Sequence, residues 1–147
     1  MKTEREPNVN LRTSSAILAL ALTLLLAACA RPDTVADEAG AIGALETLAI
    51  SQRLYSKEHY GAFGTFDQLI RDTGLSQKFA GGAPLVGGYV FSMKVVTKAA
   101  AQPPFFSINA DPQGSDGKHF YIDPNVDIVR VNDHKPAGPD DPTVSQE

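Results

Sequence analysis

The single cysteine of this 147-residue chain, Cys29, carries its most nucleophilic side chain. A thiolate is the strongest nucleophile among ordinary side chains, so a lone cysteine is a candidate for covalent modification. One cysteine cannot form an internal disulfide, and its other common role is that of a small buried hydrophobic residue. Cys29 follows Leu26-Ala27-Ala28 at the end of an apolar run, and the sequence turns polar just after it. This boundary position favours modification over burial.

A second group that could do chemistry is the alternating set Asp123, Asn125 and Asp127. Oxygen-bearing side chains at alternate positions are typical of calcium-binding loops. The sixth position of such a loop would be Ile128 instead of glycine, and the twelfth would be His134 instead of glutamate. A tight turn between two strands explains the same residues, since Asp, Pro and Asn all favour turns. These three residues are weak metal candidates, and the turn is the preferred interpretation.

The remaining residues form no catalytic or metal-binding pattern. His59, His119 and His134 lie far apart and have no second histidine or cysteine at ligand spacing, which argues against a zinc site. His59 is better placed as a cation at a helix end and His119 as a strand residue. The glycine-rich stretch 81–88 lacks the Lys-Ser/Thr of a phosphate-binding loop, and no nucleophile elbow occurs. We therefore predict no cofactor and no enzymatic activity, and rank a hydrolase third among the functions considered.

The residues before Cys29 look like an export signal. From Ala16 to Ala28 the chain is apolar apart from Thr23, after a leader that contains Lys2, Arg5 and Arg12. A run of this length falls short of the roughly 20 residues that a membrane-spanning helix needs. Its length, its basic leader and its small final residues predict a signal peptide at 1–28. A retained membrane anchor is the alternative.

The stretch Leu26-Ala27-Ala28-Cys29 resembles the bacterial lipobox, in which an aliphatic residue and two small residues precede a cysteine. The resemblance implies that the Cys29 sulfur takes a diacylglyceryl group and that cleavage occurs between Ala28 and Cys29. It also implies acylation of the new amino terminus, commonly with palmitate, and two or more acyl chains anchor a protein stably. The next residue is Ala30, not the aspartate that retains lipoproteins in the inner membrane. By analogy, we expect an outer-membrane protein facing the periplasm or the cell surface.

Composition divides the rest of the chain into a tether, a domain and a tail. Residues 29–34 form a short spacer, and 35–131 are enough for one small domain with a modest core. Residues 132–147 contain three prolines and four acids, so we predict a flexible acidic tail. The formal net charge is −4 and no basic patch with interleaved aromatics occurs, so a nucleic-acid partner is not expected.

Hydrophobic periodicity predicts an α+β domain. Apolar residues at three- and four-residue spacing indicate a helix from Val35 to about Glu58, in which Thr34 can cap the start and Gln52 interrupts the apolar stripe. Thr65 opens a short second helix that ends near Gly74, and 75–88 read as a loop. Four strands are predicted at 89–96, 105–110, 119–122 and 128–131. We expect one long helix packed on a small antiparallel sheet of about four strands.

The order of these elements resembles the globular head of the type IV pilin and pseudopilin family. The matching residues are Ala44-Leu45, Gln52 and Tyr55 in the helix, then Tyr60-Gly-Ala-Phe-Gly-Thr-Phe-Asp-Gln-Leu, Gly88-Tyr89-Val90-Phe91, Phe105-Phe106-Ser107-Ile108-Asn109-Ala110 and Lys118-His119-Phe120-Tyr121-Ile122-Asp123. Pilins keep their apolar amino-terminal segment to build a filament, whereas cleavage before Cys29 would remove it here. The two resemblances together imply a pilin-like head held by lipid.

These features predict an exported, lipid-anchored structural or interaction protein of the cell envelope. The pilin resemblance implies an accessory role in a secretion or pilus system, with a protein partner in the envelope. The alternative is a small lipoprotein that binds a ligand or calcium.

Overall fold

The computed structural model of the protein describes residues 36–97, 99 and 102–144, which form an α+β arrangement of two helices and one antiparallel sheet. The helices are α1 (Glu38–Glu58) and α2 (Phe66–Thr73), followed by a short 3-10 helix at Gln77–Phe79. The strands are β1 (Leu85–Val86), β2 (Tyr89–Val96), β3 (Phe105–Pro112), β4 (His119–Asp123) and β5 (Val126–Asn132).

Helix α1 begins three residues later than predicted because Asp37 caps it. The Asp37 carboxylate accepts a hydrogen bond of 2.9 Å from the Gly40 N–H, which satisfies one of the free donors of the first turn. A Cβ on Gly40 would overlap that carboxylate, so the glycine leaves room for the cap. The predicted cap at Thr34 and start at Val35 lie outside the described residues. At the other end, the His59 N–H donates to the Tyr55 carbonyl and closes the helix.

Helix α2 has the signals that the sequence predicts at both ends. The Thr65 backbone N–H donates to the Gln68 side chain, and the Gln68 N–H donates to the Thr65 hydroxyl, a reciprocal capping box. Gly74 ends the helix with φ of 73°, a left-handed conformation that glycine adopts without steric cost.

The sheet has five strands in chain order, and each pairs antiparallel with the next. The prediction of about four strands is therefore corrected to five. The additional strand, β1, has only two residues and lies within the glycine-rich stretch predicted to be a loop, so it is too short to produce an alternating pattern. Strand β2 has the predicted bounds, and β3 extends two residues beyond Ala110.

The core lies between the two helices and the inner face of the sheet. In β2 and β3 the register places Phe91 opposite Ala110, and both side chains are buried on this face. Helix α1 packs over β3, β4 and β5, and the 3-10 helix contributes Phe79, whose ring meets Phe91 edge to face at 5.5 Å. Such aromatic pairs add to the stabilisation from apolar burial. The fully buried large apolar side chains are Leu45, Leu48, Leu69, Phe79, Tyr89, Phe91, Phe106, Ile108, Phe120 and Ile122.

Residues 133–144, termed the C-terminal segment, cross the outer face of the sheet and return along β5. The Asn109 side chain on β3 donates to the Ala137 carbonyl at 2.7 Å. The Val131 N–H donates to Pro142 and the Val144 N–H donates to Val129, both at 2.8 Å. The prediction of a flexible tail is thus corrected for 132–144, because backbone hydrogen bonds to a strand edge hold a stretch with few apolar residues. Residues 145–147 lie outside the described part of the chain.

Across the described ranges, no helix has the length and hydrophobicity required to cross a membrane.

Candidate functional site

The anchoring residues predicted from the sequence, Ala28 and Cys29, lie outside the described residues. Their lipidation and cleavage stay predictions. The described domain begins a few residues later with the cap of α1.

The acidic turn predicted as a weak calcium site is the hairpin between β4 and β5. Asp123 is 4 % exposed, and its two carboxylate oxygens accept from the Tyr121 hydroxyl at 3.1 Å and from the Asn125 N–H at 2.8 Å. The Asn125 bond closes a turn of the kind that aspartate commonly forms. Asn125 is exposed, and the side chain of Asp127 is not described. The carboxylate of Asp123 therefore serves the hairpin itself.

The three histidines are in separate places. His59 stacks on the Tyr55 ring with centroids 3.8 Å apart, and its Nε2 lies 3.7 Å from a carboxylate oxygen of Asp72. His119 Nδ1 lies 2.6 Å from the Asp111 carboxylate on the neighbouring strand. His134 is exposed in the C-terminal segment. The described residues contain no cluster of three His, Cys, Asp or Glu side chains that could hold a metal ion.

Beneath the C-terminal segment lies a group of polar side chains on the outer face of the sheet. Arg130 donates through Nη1 to the Asp141 carbonyl at 2.7 Å, and Asn132 donates to the Asp141 carboxylate at 2.9 Å. The donors on Asn132 and the Gly138 backbone hold the pKa of Asp141 below its usual value. Burial, followed by the charge of Asp123, raises the pKa of Tyr121 to about 12. These contacts fasten the segment to the sheet.

Tyr89 is a second tyrosine with a perturbed hydroxyl, on the inner face. It is fully buried, and its hydroxyl oxygen has no hydrogen-bond partner among the described residues. Burial raises its pKa to about 12, with smaller contributions from the charges of Glu38 and Asp37 at the start of α1. A Cβ on Gly117 would lie 3.0 Å from this hydroxyl, so the turn before β4 closes over it.

A groove of about 480 Å³ runs between α1, the end of α2 and the 3-10 helix. The α1 residues that line the groove are small: Gly40, Gly43, Ala44, Thr47 and Ser51. The buried side chains of Leu75 and Phe79 also line it. The other lining residues are Thr73, Gly74, Ser76 and Lys78. Its lining offers hydroxyl groups and one exposed ammonium, a set that can bind but has no acid–base pair for catalysis.

The solvent side of α1 has unusual chemistry for an exposed helix face. We define the α1 outer face as Gly43, Glu46, Ile50, Leu54 and Lys57, which recur at three- and four-residue spacing and are all exposed. Ile50 is 54 % exposed and Leu54 is 47 % exposed. An amphipathic surface helix normally carries polar residues there. This face instead has two large aliphatic side chains, and the exposed Arg53 lies beside them along the helix.

Tyr60 lies two residues past the end of α1. Its side chain is 96 % exposed, and its φ of 55° is the one positive value for a residue other than glycine in the described chain. An L-residue in the left-handed region costs about 1–2 kcal/mol. A fully exposed aromatic in a strained turn is a feature that folding does not require, and such outliers often occur at binding surfaces.

The sequence patterns did not single out the α1 outer face or the pairing of His119 with Asp111. Both were detectable in principle. Ile50 and Leu54 lie about half a turn away from the apolar stripe that defines the core side of α1. Asp111 and His119 flank a short connection between two strands, where facing positions share one side of the sheet.

No protein-family model, curated protein or solved structure shows a significant match to this chain.

Proposed function

We propose that this chain is a lipid-anchored structural or interaction protein of the cell envelope. The observation that carries the proposal is the position of Leu26-Ala27-Ala28-Cys29, between an apolar run and the domain that starts at α1. Acyl chains on Cys29 would hold the domain at a membrane face through a tether of a few residues. The domain would face the periplasm or the cell surface.

The domain itself supports a binding role over catalysis. Tyr89 and Tyr121 are the buried polar side chains whose pKa values are shifted. Neighbouring residues enclose both side chains, so a substrate could not reach them. The accessible feature is the α1 outer face, which exposes aliphatic surface beside a groove. Exposed apolar surface of this kind is typical of protein contacts.

The proposal includes a pilin-like head, with one long helix packed across an antiparallel sheet in two layers. It is supported by the order of helix, aromatic turn and strands, and by α1 packing on β3 to β5. With the apolar segment removed by cleavage, the head would act as an accessory at the membrane, in a secretion or pilus system, instead of polymerising.

Anchoring is tested by metabolic labelling with palmitate. The full chain should incorporate label and fractionate with membranes, whereas Cys29→Ala should do neither, because the thiol that accepts the lipid is gone. Cys29→Ser is the matched control, since it keeps the size of the side chain but not the thiol. Equal labelling of the wild type and both variants would refute lipidation at Cys29.

The second candidate function is the binding of a small ligand in the groove beside α1. Its volume of about 480 Å³ falls within the usual range for small-molecule sites. A ligand seated there would raise the melting temperature of the protein in a concentration-dependent way. Gly43→Leu should abolish that shift by filling the groove, because no atom lies within 4 Å of a Cβ at Gly43 and the new side chain meets no obstacle.

A further inference from the structure

The C-terminal segment covers the outer edge of β5, the last strand of the sheet. It makes two backbone hydrogen bonds along this edge, from the Val131 N–H to the Pro142 carbonyl and from the Val144 N–H to the Val129 carbonyl. Without the segment, Val129 would present an unpaired carbonyl and Val131 an unpaired N–H. Unpaired strand edges readily accept another extended chain.

Side chains on the outer face of the sheet hold the rest of the segment through its polar groups. The Asn109 amide donates to the Ala137 carbonyl at 2.7 Å, and Arg130 Nη1 donates to the Asp141 carbonyl at 2.7 Å. The Asn132 amide donates to the Asp141 carboxylate at 2.9 Å. Two of these three contacts are made to carbonyl groups of the backbone, so the sheet holds the segment largely through its main chain.

Little apolar burial accompanies these contacts. Ala137 is the one buried residue of the C-terminal segment, and Val144 packs partly against the core. Pro142 has no N–H with which to extend the pairing along β5. Exposed hydrogen bonds are readily replaced by bonds to water, and regions with few buried apolar contacts open at a lower free energy than the whole domain. The segment therefore has the properties of a unit that detaches while the rest of the domain stays folded.

We infer that the C-terminal segment detaches from β5 and is exchanged between two copies of this chain, so that each segment takes the place of the other. An opened copy has one unpaired strand edge and one free segment, and a second opened copy supplies the complement of both. Because the copies carry the same residues, the exchanged segment makes the same hydrogen bonds to Val129, Val131 and Asn109 as it makes within one chain. Two-fold symmetry gives each copy an identical set of contacts.

The connection between β5 and the segment allows this exchange. Residues 133–136 are all exposed. The N–H groups of His134 and Lys135 donate to the side-chain oxygen of Asn132, at 3.0 Å and 3.2 Å, and form a local turn at the end of β5. Once the segment is free, a change at this turn redirects it toward another copy without altering β5.

A second copy suits this edge better than an unrelated extended peptide. An unrelated peptide would have to place carbonyl groups opposite Asn109 and Arg130 and a carboxylate opposite Asn132, in a chain that turns between them. In the segment, the Asp141 N–H donates to the Gly138 carbonyl at 3.2 Å and closes that turn. The segment of a copy already has this arrangement.

The proposed anchoring would favour exchange between copies. Within one chain the segment competes for its own β5 at a high effective concentration, so copies exchange when they are held close together. Confinement of lipid-anchored chains to one membrane face would supply this proximity. The extent of exchange therefore rests on the function proposed above, whereas detachment of the segment does not.

Detachment is tested by hydrogen exchange of the full chain, followed by mass spectrometry. Peptides of the C-terminal segment should exchange at least about tenfold faster than those of β2 and β3, because the segment opens without unfolding of the sheet. Asn109→Ala should raise the rate further, since it removes the bond to Ala137, whereas Ser92→Ala, at the exposed position opposite Asn109, should not. Equal rates for the segment and for β2 and β3 would overturn detachment.

Exchange is tested by cross-linking two differently tagged full-length chains made in the same cells. One carries Ile128→Cys and the other Thr143→Cys, because Thr143 pairs with Arg130 and Ile128 lies two residues before Arg130 on the same face of β5. Both native side chains are exposed. A short bismaleimide should give a mixed 128–143 product about fivefold more abundant than that of Ser92→Cys with Thr143→Cys, which measures random collision. Wild type, with Cys29 alone, measures background.

A chain that carries both Ile128→Cys and Thr143→Cys separates exchange from simple contact between copies. Raising the expression level should convert its intramolecular product into the intermolecular one, because both products report the same pairing of the segment with β5. A constant intramolecular fraction, or a mixed 128–143 product no more abundant than the 92–143 product, would overturn exchange. Palmitate labelling reports on anchoring alone, so absence of label together with a high 128–143 yield would refute the anchor and leave exchange standing.

Discussion

The two sides of α1 differ in what their apolar residues do. Leu45 and Leu48 are completely buried against the sheet, whereas Ile50 and Leu54, on the same helix, are about half exposed. Both sides therefore contain large aliphatic side chains, and only one side is covered by this chain. The difference shows that the apolar residues of the core side contribute to the fold, whereas those of the outer face contribute little to it.

A polar residue makes the core side specific. Gln52 is fully buried, and its side-chain amide donates to the Gly64 carbonyl at 2.7 Å and accepts from the Gly64 N–H at 2.9 Å. A Cβ on Gly64 would lie 3.2 Å from the Tyr55 ring, so this turn approaches α1 too closely for a larger residue. The outer face has no comparable buried polar contact. Gln52 thus fixes the path of the chain from α1 to α2.

The largest expected contrast compares truncation on the two sides. Leu48→Ala should lower the free energy of unfolding by about 2–5 kcal/mol, because it removes buried methyl groups and leaves a cavity. Ile50→Ala, two residues away, should change it by no more than about 0.5 kcal/mol. Urea unfolding of both variants measures the difference. Similar losses for the two would mean that the outer face also contributes to the fold.

A loss of comparable size is expected for Gln52→Ala. The substitution leaves the buried N–H and C=O of Gly64 without partners, at a cost of about 1–3 kcal/mol for each such group in a comparable setting. Gln68→Ala is the control, since Gln68 also bonds a backbone N–H but at an exposed helix start, where water can replace it. Equal midpoints of urea unfolding for the two variants would contradict the role assigned to Gln52.

Alkaline pH should lower the stability of the fold through Tyr89, which is buried on the inner face of the sheet. The pKa of Tyr89 is raised to about 12 from an ordinary value near 10, so the folded state holds this proton more tightly than the unfolded state. Its contribution to stability is complete below about pH 10 and is lost as pH rises toward 12. Tyr89→Phe should reduce the alkaline loss in a series of urea melts. It should be nearly neutral at pH 7, since its hydroxyl has no partner in the described chain. An unchanged alkaline slope would refute this.

The smallest expected effect is an increase in stability. Tyr60→Gly should raise the free energy of unfolding by roughly 0.5 kcal/mol, because relief of the left-handed strain outweighs the added freedom of the unfolded chain. Gly61, also at positive φ, offers a control: Gly61→Ala should be destabilising, because a Cβ is strained in this conformation. Loss of stability in Tyr60→Gly would show that this tyrosine serves the fold.

Much of the fold could be predicted because the core residues repeat with regular periods. The three- and four-residue spacing through Leu45 and Leu48 predicts α1, and alternation in 89–96 predicts β2 with its observed bounds. The start of α1 moved because both Thr34 and Asp37 are capping residues, and the choice between them depends on packing. The burial of Gln52 could not be predicted from the pattern, because its partner, the Gly64 backbone, lies in a turn whose path no local signal reveals.

The elements that were missed depend on backbone hydrogen bonds instead of apolar burial. Strand β1 has two residues, and the C-terminal segment is rich in proline and aspartate, so neither produces a periodic signal. The segment is held by the strand edge at Val129 and Val131 and by Asn109. Hydrophobic composition alone therefore predicts disorder where a sheet edge supplies partners. The candidate surface was missed for a related reason, since exposed aliphatic residues are common and become informative only with their neighbours known.

The central claim, that the core side of α1 stabilises the fold and its outer face does not, is tested most directly by two lysine substitutions in the full chain, Ile50→Lys and Leu48→Lys. The midpoint of urea unfolding is measured for both variants. The account predicts an unchanged midpoint for Ile50→Lys and a strongly lowered one for Leu48→Lys, because only the second substitution buries an unpaired charge. A lowered midpoint for Ile50→Lys, or equal midpoints for the two variants, would contradict it.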